Sequence, residues 1–445
     1  MKHFMRSAAM TAVALLALIV ASCSPETDDL LSTVPAGTDF VAVVDAHAIA
    51  GKLGVTVKDG SLQLPAEWQQ AFSRVSDEKW QTAAKAAEAI DMTRIVMFYD
   101  NGESPITTFR ITDKGIFDEL MGRSPAEKKN GFKCYENALG TIMVSGNQGW
   151  LAKGSDPTPA LKRILSKADG PEGSIADITA LRQSLELDKP VRVVYDKNMY
   201  DKKSEGLWCV GYADLSDSEI SLVTNTIDRE GRTVSDKTLR PINTDFLRYT
   251  PANCNFAFAV GVTPEHDWST LESIASLIPD PQVSGMMGTI MPYLKKADGT
   301  VAVAADINTA DIGASGATFL TMIHMPQADV DAALLEIEQR MIDAGASPVR
   351  SAGNIISIPG LYAGNVDGYL AVSSVPLTPT YQNSLNSYFL NRRMGFVVSL
   401  PSVPMFGTPF GVTVSFDDQT EKQEGFIRTT VPLKNAIAVF LEMMI

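Results

Sequence analysis

Apolar residues recur at two different periods along this chain of 445 residues, and the periods predict its strands and helices. Short runs rich in Val, Ile, Phe and Ala, such as 39–44 and 256–260, are typical of buried strands. Longer segments with apolar residues three or four positions apart, such as 66–75, 77–90 and 435–445, predict helices. Strands come in adjacent groups with helices between the groups, which favours mostly antiparallel sheets with helices on one face. The predicted fold class is α+β.

A Met-rich stripe marks one further helix in the second half of the chain. Met287, Ile290, Met291 and Leu294 recur at helical spacing, so we expect them to face the core. The Thr-Pro pair at 158–159 predicts the start of another helix, because Pro is tolerated in a first helical turn.

The predicted elements occur twice in the same order, with similar sequences at corresponding places. The matched segments are VPAGTDFVAVVD (34–45) with TPANCNFAFAVG (250–261), FRITDKGIFDEL (109–120) with IHMPQADVDAAL (323–334), and GNQGWLA (146–152) with GNVDGYLA (364–371). Matches that keep their order and nearly their spacing indicate an internal duplication. We therefore predict two tandem homologous domains at 32–246 and 247–445, each a mostly antiparallel sheet packed with helices.

The third matched pair is interpreted as a turn followed by a strand. Gly146-Asn147 and Gly364-Asn365 supply residues that tolerate positive φ, as a tight hairpin requires. The aromatic residue after the next glycine, Trp150 or Tyr369, then begins a strand. We expect its ring to pack in the core.

The N-terminal segment has the pattern of a secretory signal. Lys2, His3 and Arg6 precede an apolar run that ends at Cys23, and such a segment is removed from the mature protein. A transmembrane anchor fits less well, because the apolar run at 7–20 is shorter than the about 20 residues that span a bilayer. An ordinary secretion signal that contains a Cys is the other alternative.

The exit from this segment, VASC at 20–23, resembles the lipobox of bacterial lipoproteins. The resemblance implies cleavage between Ser22 and Cys23, a diacylglycerol on the Cys23 thiol, and a fatty acid such as palmitate on the new amino terminus. The prediction is a signal peptide at 1–22, a lipidated Cys with an acidic tether at 23–31, and attachment to the membrane through lipid. Each buried methylene of such an anchor contributes about 0.8 kcal/mol.

The charge of the chain argues against one class of partner. The formal net charge is -14, and removal of Lys2 and Arg6 leaves 36 basic against 52 acidic residues, a net charge of -16. An acidic chain without a stripe of Lys and Arg is repelled by phosphate backbones. No nucleic-acid partner is therefore expected.

Sequence motifs point to no catalytic residue, metal ligand or cofactor. Cys134, Cys209 and Cys254 lack CxxC or Cys/His spacing and are interpreted as buried thiols, although a disulfide between two of them stays open. Neither a GxSxG elbow nor a Walker-type phosphate loop occurs. The histidines that remain after cleavage are interpreted as ordinary loop or sheet residues: His47, His266 and His324.

Two acidic stretches, DLSDSE at 214–219 and FDDQTEKQE at 416–424, are interpreted as solvated hairpin tips. The first has oxygen ligands at alternate positions, but it lacks the Gly and the downstream Glu of a calcium loop. Weak cation binding is the alternative for both stretches.

The five Trp residues bear on whether the chain captures glycans. Trp150 is expected to be structural, because Tyr369 stands at the matched place in the other half. Trp68, Trp80 and Trp268 occupy positions on predicted helices that are compatible with burial. Glycan capture would require two or three exposed Trp side chains together.

The chain resembles a group of uncharacterised outer-membrane lipoproteins from Bacteroidetes-type bacteria, which are filed as domains of unknown function. The resemblance rests on the lipobox, the acidic tether, the first strand that begins with VPAGTDF at 34–40, and the duplicated α+β body. It implies a lipid-anchored protein of the outer membrane. Acidic residues soon after the Cys can accompany display on the cell surface. Glu26, Asp28 and Asp29 match that pattern loosely, so the periplasmic and the surface side both stay open.

Two functions from different classes are consistent with these features. The first is a non-catalytic cell-envelope protein that binds a protein or glycan partner or acts as a scaffold. The alternative is a carboxylate-dependent hydrolase of envelope or dietary polymers, whose two acidic residues would lie about 5–10 Å apart. Spacing along the sequence does not select such a pair, although Asp45 and Asp214 stand at predicted strand ends. A cleft with two facing carboxylates would favour the hydrolase.

Overall fold

The computed structural model describes residues 30–58, 61–69, 77–99, 104–122, 127–137, 139–154, 156–199, 204–251, 254–269, 271, 281–306, 318–351, 354–379, 385–400 and 410–444. The signal peptide predicted at 1–22, its cleavage site and Cys23 lie outside these residues. The chain divides into two compact units. The first comprises the residues up to Val234 together with Thr429–Ile445, and the second contains Ser235–Met405 and Pro409–Arg428.

Strands of the first unit form one antiparallel sheet and a small separate hairpin. They are β1 (Phe40–Val44), β2 (Thr56–Lys58), β3 (Ser61–Gln63), β4 (Ile95–Tyr99), β5 (Ile106–Arg110), β6 (Glu127–Lys129), β7 (Phe132–Asn137), β8 (Gly140–Ser145), β9 (Gln148–Ala152), β10 (Val191–Asp196), β11 (Trp208–Leu215) and β12 (Glu219–Ile227). β2 and β3 pair with each other. The other strands pair in the order β12-β11-β10-β1-β4-β5-β9-β8-β7-β6.

Strands of the second unit form an antiparallel sheet with a similar plan. They are β13 (Leu239–Arg240), β14 (Phe256–Val262), β15 (Thr300–Asp306), β16 (Thr318–His324), β17 (Val349–Ser351), β18 (Ile355–Ile358), β19 (Leu361–Val366), β20 (Tyr369–Ser373), β21 (Met394–Leu400), β22 (Val412–Asp418) and β23 (Gln423–Thr429). The main pairing order is β22-β21-β14-β15-β16-β20-β19-β18-β17. These strands follow the same order, both in sequence and in the sheet, as β11-β10-β1-β4-β5-β9-β8-β7-β6 of the first unit.

Helices connect the strands in both units. They are α1 (Ala46–Leu53), α2 (Ala66–Gln69), α3 (Asp77–Ala89), α4 (Lys114–Met121), α5 (Thr158–Ala168), α6 (Thr179–Leu185), α7 (Pro281–Leu294), α8 (Gln327–Asp343), α9 (Asn386–Phe389) and α10 (Leu433–Met444). Local chemistry sets their ends: the carboxylate of Asp113 accepts a hydrogen bond from Ile116 N at 2.9 Å and caps α4. As predicted, α5 begins at the Thr-Pro pair. The fold is therefore mixed α+β with antiparallel sheets, which confirms the predicted fold class.

Helices cover both faces of the sheet in the first unit, whereas the sequence pattern predicted one face. Along β8, Ile142 and Val144 join a cluster with α1, α3 and α4, while Met143 points to a second cluster with α5 and α6. The physical reason is that the central strands are apolar on both alternating sides. A sheet with two apolar faces needs a cover on each.

The second unit is built in the same way. Tyr369 and Met322 belong to a cluster with the short 3-10 helix Thr244–Tyr249, and Ile323 and Leu370 belong to the opposite cluster with α7 and α8. The Met-rich stripe lies where it was predicted, because Met291 and Leu294 are buried in this second cluster. The side chain of Met287 lies outside the described residues.

Two segments lie in a different unit or element from the one that the sequence pattern assigned. The closing helix α10, placed by sequence at the end of the second domain, packs in the first unit, where Leu433 and Ala438 contact the cluster around Trp68. At the other end, the tether was predicted to extend to residue 31. Leu30 and Leu31 instead belong to a 3-10 helix and are 3% and 0% exposed.

The two hairpins that carry the repeated phrase turn at different places within it. Between β8 and β9 the turn contains Gly146, with φ of 60°, and Asn147, as predicted. Between β19 and β20 it contains Asp367 and Gly368, with φ of 52° and 85°. Gly364 lies inside β19, so the prediction that it forms the turn was wrong. An Asp-Gly pair satisfies a tight hairpin as well as Gly-Asn does.

The aromatic residues of the phrase therefore stand at different distances from their turns, and the two distances differ by two residues. Tyr369 directly follows its turn, whereas Trp150 is the third residue after its own. Strand residues that are two positions apart share a face. Both rings are therefore buried, with 3% of Trp150 and 1% of Tyr369 exposed, as predicted.

Candidate functional site

Most of the described cysteines and histidines are buried or held by neighbouring groups. Cys134, Cys209 and Cys254 form no disulfide, and burial raises the pKa of each thiol. His47 is exposed on α1. Two further histidines are held by neighbours: His266 Nδ1 lies 2.7 Å from Thr238 Oγ1, and His324 Nδ1 lies 2.6 Å from the carbonyl oxygen of Asp298.

None of the five Trp side chains is exposed. Trp68 and Trp150 are buried, while Trp80, Trp208 and Trp268 are half-buried. The indole N–H of Trp68 donates to the carbonyl oxygen of Lys434 at 2.6 Å. The platform of several exposed indoles that glycan capture would require is thus not formed by these residues.

The first acidic stretch, 214–219, is an exposed turn at its tip, as predicted, but its first carboxylate is engaged. Asp214 forms ion pairs with Lys52 and with Lys189, whose Nζ lies 2.9 Å from Asp214 Oδ2. Burial of this carboxyl disfavours its charged form, but the hydrogen bonds from both lysines outweigh that effect and lower the pKa of Asp214 to about 2. Asp45, the other carboxylate at a strand end, accepts from Ala48 N at 2.7 Å and caps α1.

The second acidic stretch, 416–424, is exposed at its tip, at residues 420–422, as predicted, but one of its carboxylates is buried. Asp418 is 2% exposed and forms an ion pair with Arg393, which is 7% exposed. The distance from Arg393 Nε to Asp418 Oδ1 is 2.8 Å, and Gln423 Nε2 donates to Asp418 Oδ2 at 3.1 Å. Asp418 is buried because it is the last residue of β22 and pairs with Met394 at the start of β21. Sequence periodicity alone does not show that an Arg next to Met394 compensates the buried charge.

A pair of carboxylates stands beside this ion pair in the second unit. The amide nitrogen of Gln419 lies 2.8 Å from Asp417 Oδ1 and 2.7 Å from Glu424 Oε2, so it bridges the two acids. Arg392 Nε lies 3.2 Å from Asp417 Oδ1, and Lys422 Nζ lies 2.6 Å from Glu424 Oε1. The motif search missed this pair, because its two acids flank a turn and match no catalytic signature.

The two acids of this pair have pKa values shifted in opposite directions. Burial raises the pKa of Asp417, although the Gln419 amide and the charge of Arg392 act against it. The hydrogen bond from Lys422 lowers the pKa of Glu424. Two neighbouring carboxyl groups whose pKa values are shifted apart are a feature of acid–base catalytic pairs.

Another cluster joins Tyr249 to the tip of the β19–β20 hairpin. The Tyr249 hydroxyl donates to Asp367 Oδ2 at 2.7 Å, and Arg248 NH1 lies 3.5 Å from the same oxygen. Burial, followed by the hydrogen bond to Asp367, raises the pKa of Tyr249 to about 12. This contact fixes the hairpin tip against the 3-10 helix.

The outer side of α8 carries large apolar side chains in contact with solvent. Leu335 and Ile342 are 61% and 49% exposed, and their separation of seven residues places them on one side of the helix. Glu338 lies between them in sequence and accepts hydrogen bonds from Arg350 Nε at 3.1 and 3.2 Å. We define Leu335, Ile342 and this ion pair as the α8 surface. On this surface a charged pair lies between two apolar side chains along the helix.

Comparison of the chain with protein-family models, with curated proteins and with solved structures finds no match. Within the described ranges, no three His, Cys, Asp or Glu side chains are grouped as ligands of a metal ion would be. None of the helices in the same ranges is both long enough and apolar enough to cross a bilayer.

Proposed function

We propose that this chain is a lipid-anchored protein of the outer membrane that binds a partner protein through the α8 surface. The observation that carries the binding function is the exposure of Leu335 and Ile342 on one side of α8. Exposed apolar patches that are accompanied by polar residues mark interaction surfaces. The Arg350–Glu338 ion pair, which lies between the two apolar side chains along the helix, would offer a charged contact to the partner.

The two units support the proposal that the body arose by duplication. Their sheets repeat one strand order, and each sheet has helices on both faces. The helices α4 and α8 hold the same place in the two units. α4 follows β5, and α8 follows β16, which is the strand that matches β5 in the second unit. α4 has 8 residues and α8 has 17, so the part of α8 that carries Ile342 has no counterpart on α4.

A photo-crosslinking amino acid at position 335 tests the binding function. On cells that express the full chain, we expect a product of one discrete mass from position 335 or 342. Leu390 is a matched control, because it is 50% exposed in the same unit but lies away from α8. Equal crosslinking at 335 and 390, or none at 335, would contradict the proposed surface.

The lipid anchor rests on the lipobox resemblance and has its own test. The variant Cys23→Ala should lose incorporation of labelled palmitate and retention in the membrane fraction, and Cys254→Ala should keep both. Protease treatment of intact cells then assigns the side of the membrane. Digestion without lysis indicates the surface, and protection until lysis indicates the periplasm.

The Asp417–Glu424 pair favours a second candidate, the carboxylate-dependent hydrolase. Its support is the amide bridge between the two acids and the opposite shifts of their pKa values. Asp417→Asn and Glu424→Gln should then each abolish hydrolysis of envelope polysaccharides, while Glu421→Gln on the same hairpin should not. If the wild-type chain hydrolyses none of these polymers, the pair has only a structural role.

A further inference from the structure

The helix α8 has a regular seam on its solvent side, opposite the side that packs in the core. Val330, Leu334 and Met341 are buried in the core cluster with α7. On the other side, exposed residues recur at alternating steps of four and three positions. We define them as the outer seam: Ala328, Ala332, Leu335, Gln339 and Ile342. Because this alternation keeps residues on one side of a helix, the outer seam extends the α8 surface along nearly the whole of α8.

The spacing of the outer seam is that of a coiled coil. Two helices of a coiled coil pack through residues that recur at steps of three and four, and the side chains of each helix insert between those of the other. Leu335 and Ile342 are the large apolar residues of this seam. Gln339 is its polar residue, and a single polar residue in such a seam is one way in which coiled coils fix their register. The periodicity therefore favours a helix as the element that covers the outer seam.

Every acidic residue of α8 stands next to the outer seam, at the positions that flank the contact between helices in a coiled coil. These residues are Asp329, Asp331, Glu336, Glu338 and Asp343. Three of them are ion-paired within the unit. The exposed carboxylates of Asp331 and Asp343 accept hydrogen bonds from Gln327 at 2.9 Å and Gln339 at 2.8 Å, and neither has a cationic partner among the described residues. Uncompensated negative charge thus borders the outer seam near both of its ends.

We propose that the partner contributes an amphipathic helix with basic flanks, which packs along the outer seam as in a two-stranded coiled coil. This inference rests on the proposed function of the α8 surface and names the element that the surface binds. Lys or Arg residues beside the apolar seam of the partner helix would form ion pairs with Asp331 and Asp343. A second copy of this chain is disfavoured as the occupant, because two α8 helices would bring their acidic flanks together and like charges across an interface oppose binding.

Fluorescence anisotropy with a labelled synthetic peptide tests the partner helix. The probe has about three heptads with Leu and Ile in its seam and Lys at the flanking positions, where repulsion between lysines keeps it from pairing with itself. We expect it to bind the full chain in detergent at low ionic strength and to bind more weakly as salt is added. A peptide of the same composition in scrambled order is the matched control, because it keeps the charge and loses the seam. Equal binding of both peptides would show non-specific attraction to an acidic protein and would overturn the inference.

Two double variants separate the flanking charges from the total charge of the chain. Asp331→Asn with Asp343→Asn should weaken binding of the probe roughly threefold to tenfold. Both side chains are exposed, so the melting temperature should stay at the wild-type value. Asp169→Asn with Glu172→Gln is the control, since it removes the same charge from exposed positions of the first unit and should leave binding nearly unchanged. The inference is wrong if the two double variants weaken binding equally.

Substitution of Leu335 tests the seam and separates this inference from the α8 surface itself. Leu335→Ala should weaken binding of the probe roughly tenfold or more, because a buried apolar contact is lost. A discrete crosslink from position 335 on cells, together with no binding of the probe, would keep the α8 surface and overturn the helical partner. Binding that survives Leu335→Lys would place the probe elsewhere on the chain and overturn the inference as well. If sedimentation shows a dimer for the wild type and a monomer for Leu335→Lys, the occupant is a second copy and the basic helix is wrong.

Discussion

Arg393 and Asp418 form an ion pair that is almost completely withdrawn from solvent. Arg393 Nε lies 2.8 Å from Asp418 Oδ1, and Arg393 Nη1 donates to Ser235 Oγ and to the carbonyl oxygen of Asp236, both at 2.9 Å. Each charge therefore depends on the other for compensation. A buried pair of this kind is costly to break, because removal of one partner leaves the other charge unpaired in a poor solvent.

Asp418→Asn should lower the free energy of unfolding by about 3–5 kcal/mol. Urea denaturation followed by circular dichroism measures this change. Glu119→Gln is the control, because the Lys85–Glu119 pair is exposed and such pairs contribute about 0–1 kcal/mol. Equal effects of the two substitutions would show that burial of the Arg393–Asp418 pair has no energetic consequence.

The lysines around Asp214 should make stability depend on acid pH. The folded pKa of about 2 lies below the ordinary Asp value near ~3.9. The ionised carboxylate therefore stabilises the fold above the ordinary value, and this stabilisation is lost as the pH falls toward 2. We expect the free energy of unfolding of the wild type to exceed that of Asp214→Asn by about 1 kcal/mol at pH 6. This difference should shrink as the pH falls through 2 and vanish below it. A difference that is constant from pH 6 to pH 2 would contradict the assignment.

Tyr249 should give a signal at the opposite end of the pH range. Its folded pKa of about 12 lies above the ordinary value near ~10. The protonated phenol therefore stabilises the fold fully below the ordinary value, and the contribution is lost as the pH rises from there through 12. Absorbance at the wavelength of tyrosinate should show one late-titrating residue fewer in Tyr249→Phe than in the wild type, in which burial also raises the pKa values of Tyr293 and Tyr369. Tyr362→Phe serves as the comparison and should retain that late step.

Two glycines of the repeated phrase should respond to alanine for different reasons. Gly368 has a φ of 85° with nothing nearer than 3.7 Å to an added Cβ, so Gly368→Ala should cost about 1–2 kcal/mol from backbone strain alone. A Cβ on Gly149 would overlap the ring of Phe109, and Gly149→Ala should cost about 1–3 kcal/mol from overpacking. Gly149→Ala should therefore be rescued by Phe109→Leu. Failure of that rescue would mean that steric overlap is not the cause.

Periodicity predicted the elements well where a strand or helix is long and its apolar pattern is regular. The first strands of the two units, the helices α3, α5 and α7, and the core positions of Trp150 and Tyr369 all agree with it. Periodicity did not predict that helices cover both faces of each sheet. A strand that is apolar on both sides does not indicate which face of the sheet is exposed to solvent. The turn at Asp367-Gly368 was missed because Gly364-Asn365 has similar turn chemistry.

The polar clusters were harder to predict, since their partners are distant in sequence. Asp214 pairs with Lys52 across 162 positions, and no local pattern links them. Asp417, Asp418 and Glu424 look like a solvated turn in sequence, and only the pairing of β21 with β22 brings Arg392 and Arg393 to them.

The position of α10 has a consequence for the order in which the protein is completed. Trp68 donates to the carbonyl oxygen of Lys434, and Leu433 lies in the same cluster, so the first unit needs residues that are synthesised after the entire second unit. The first unit can therefore complete its core only after the whole chain has been synthesised. Truncation before Leu433 should leave that core open, even though every strand of the first unit would be present.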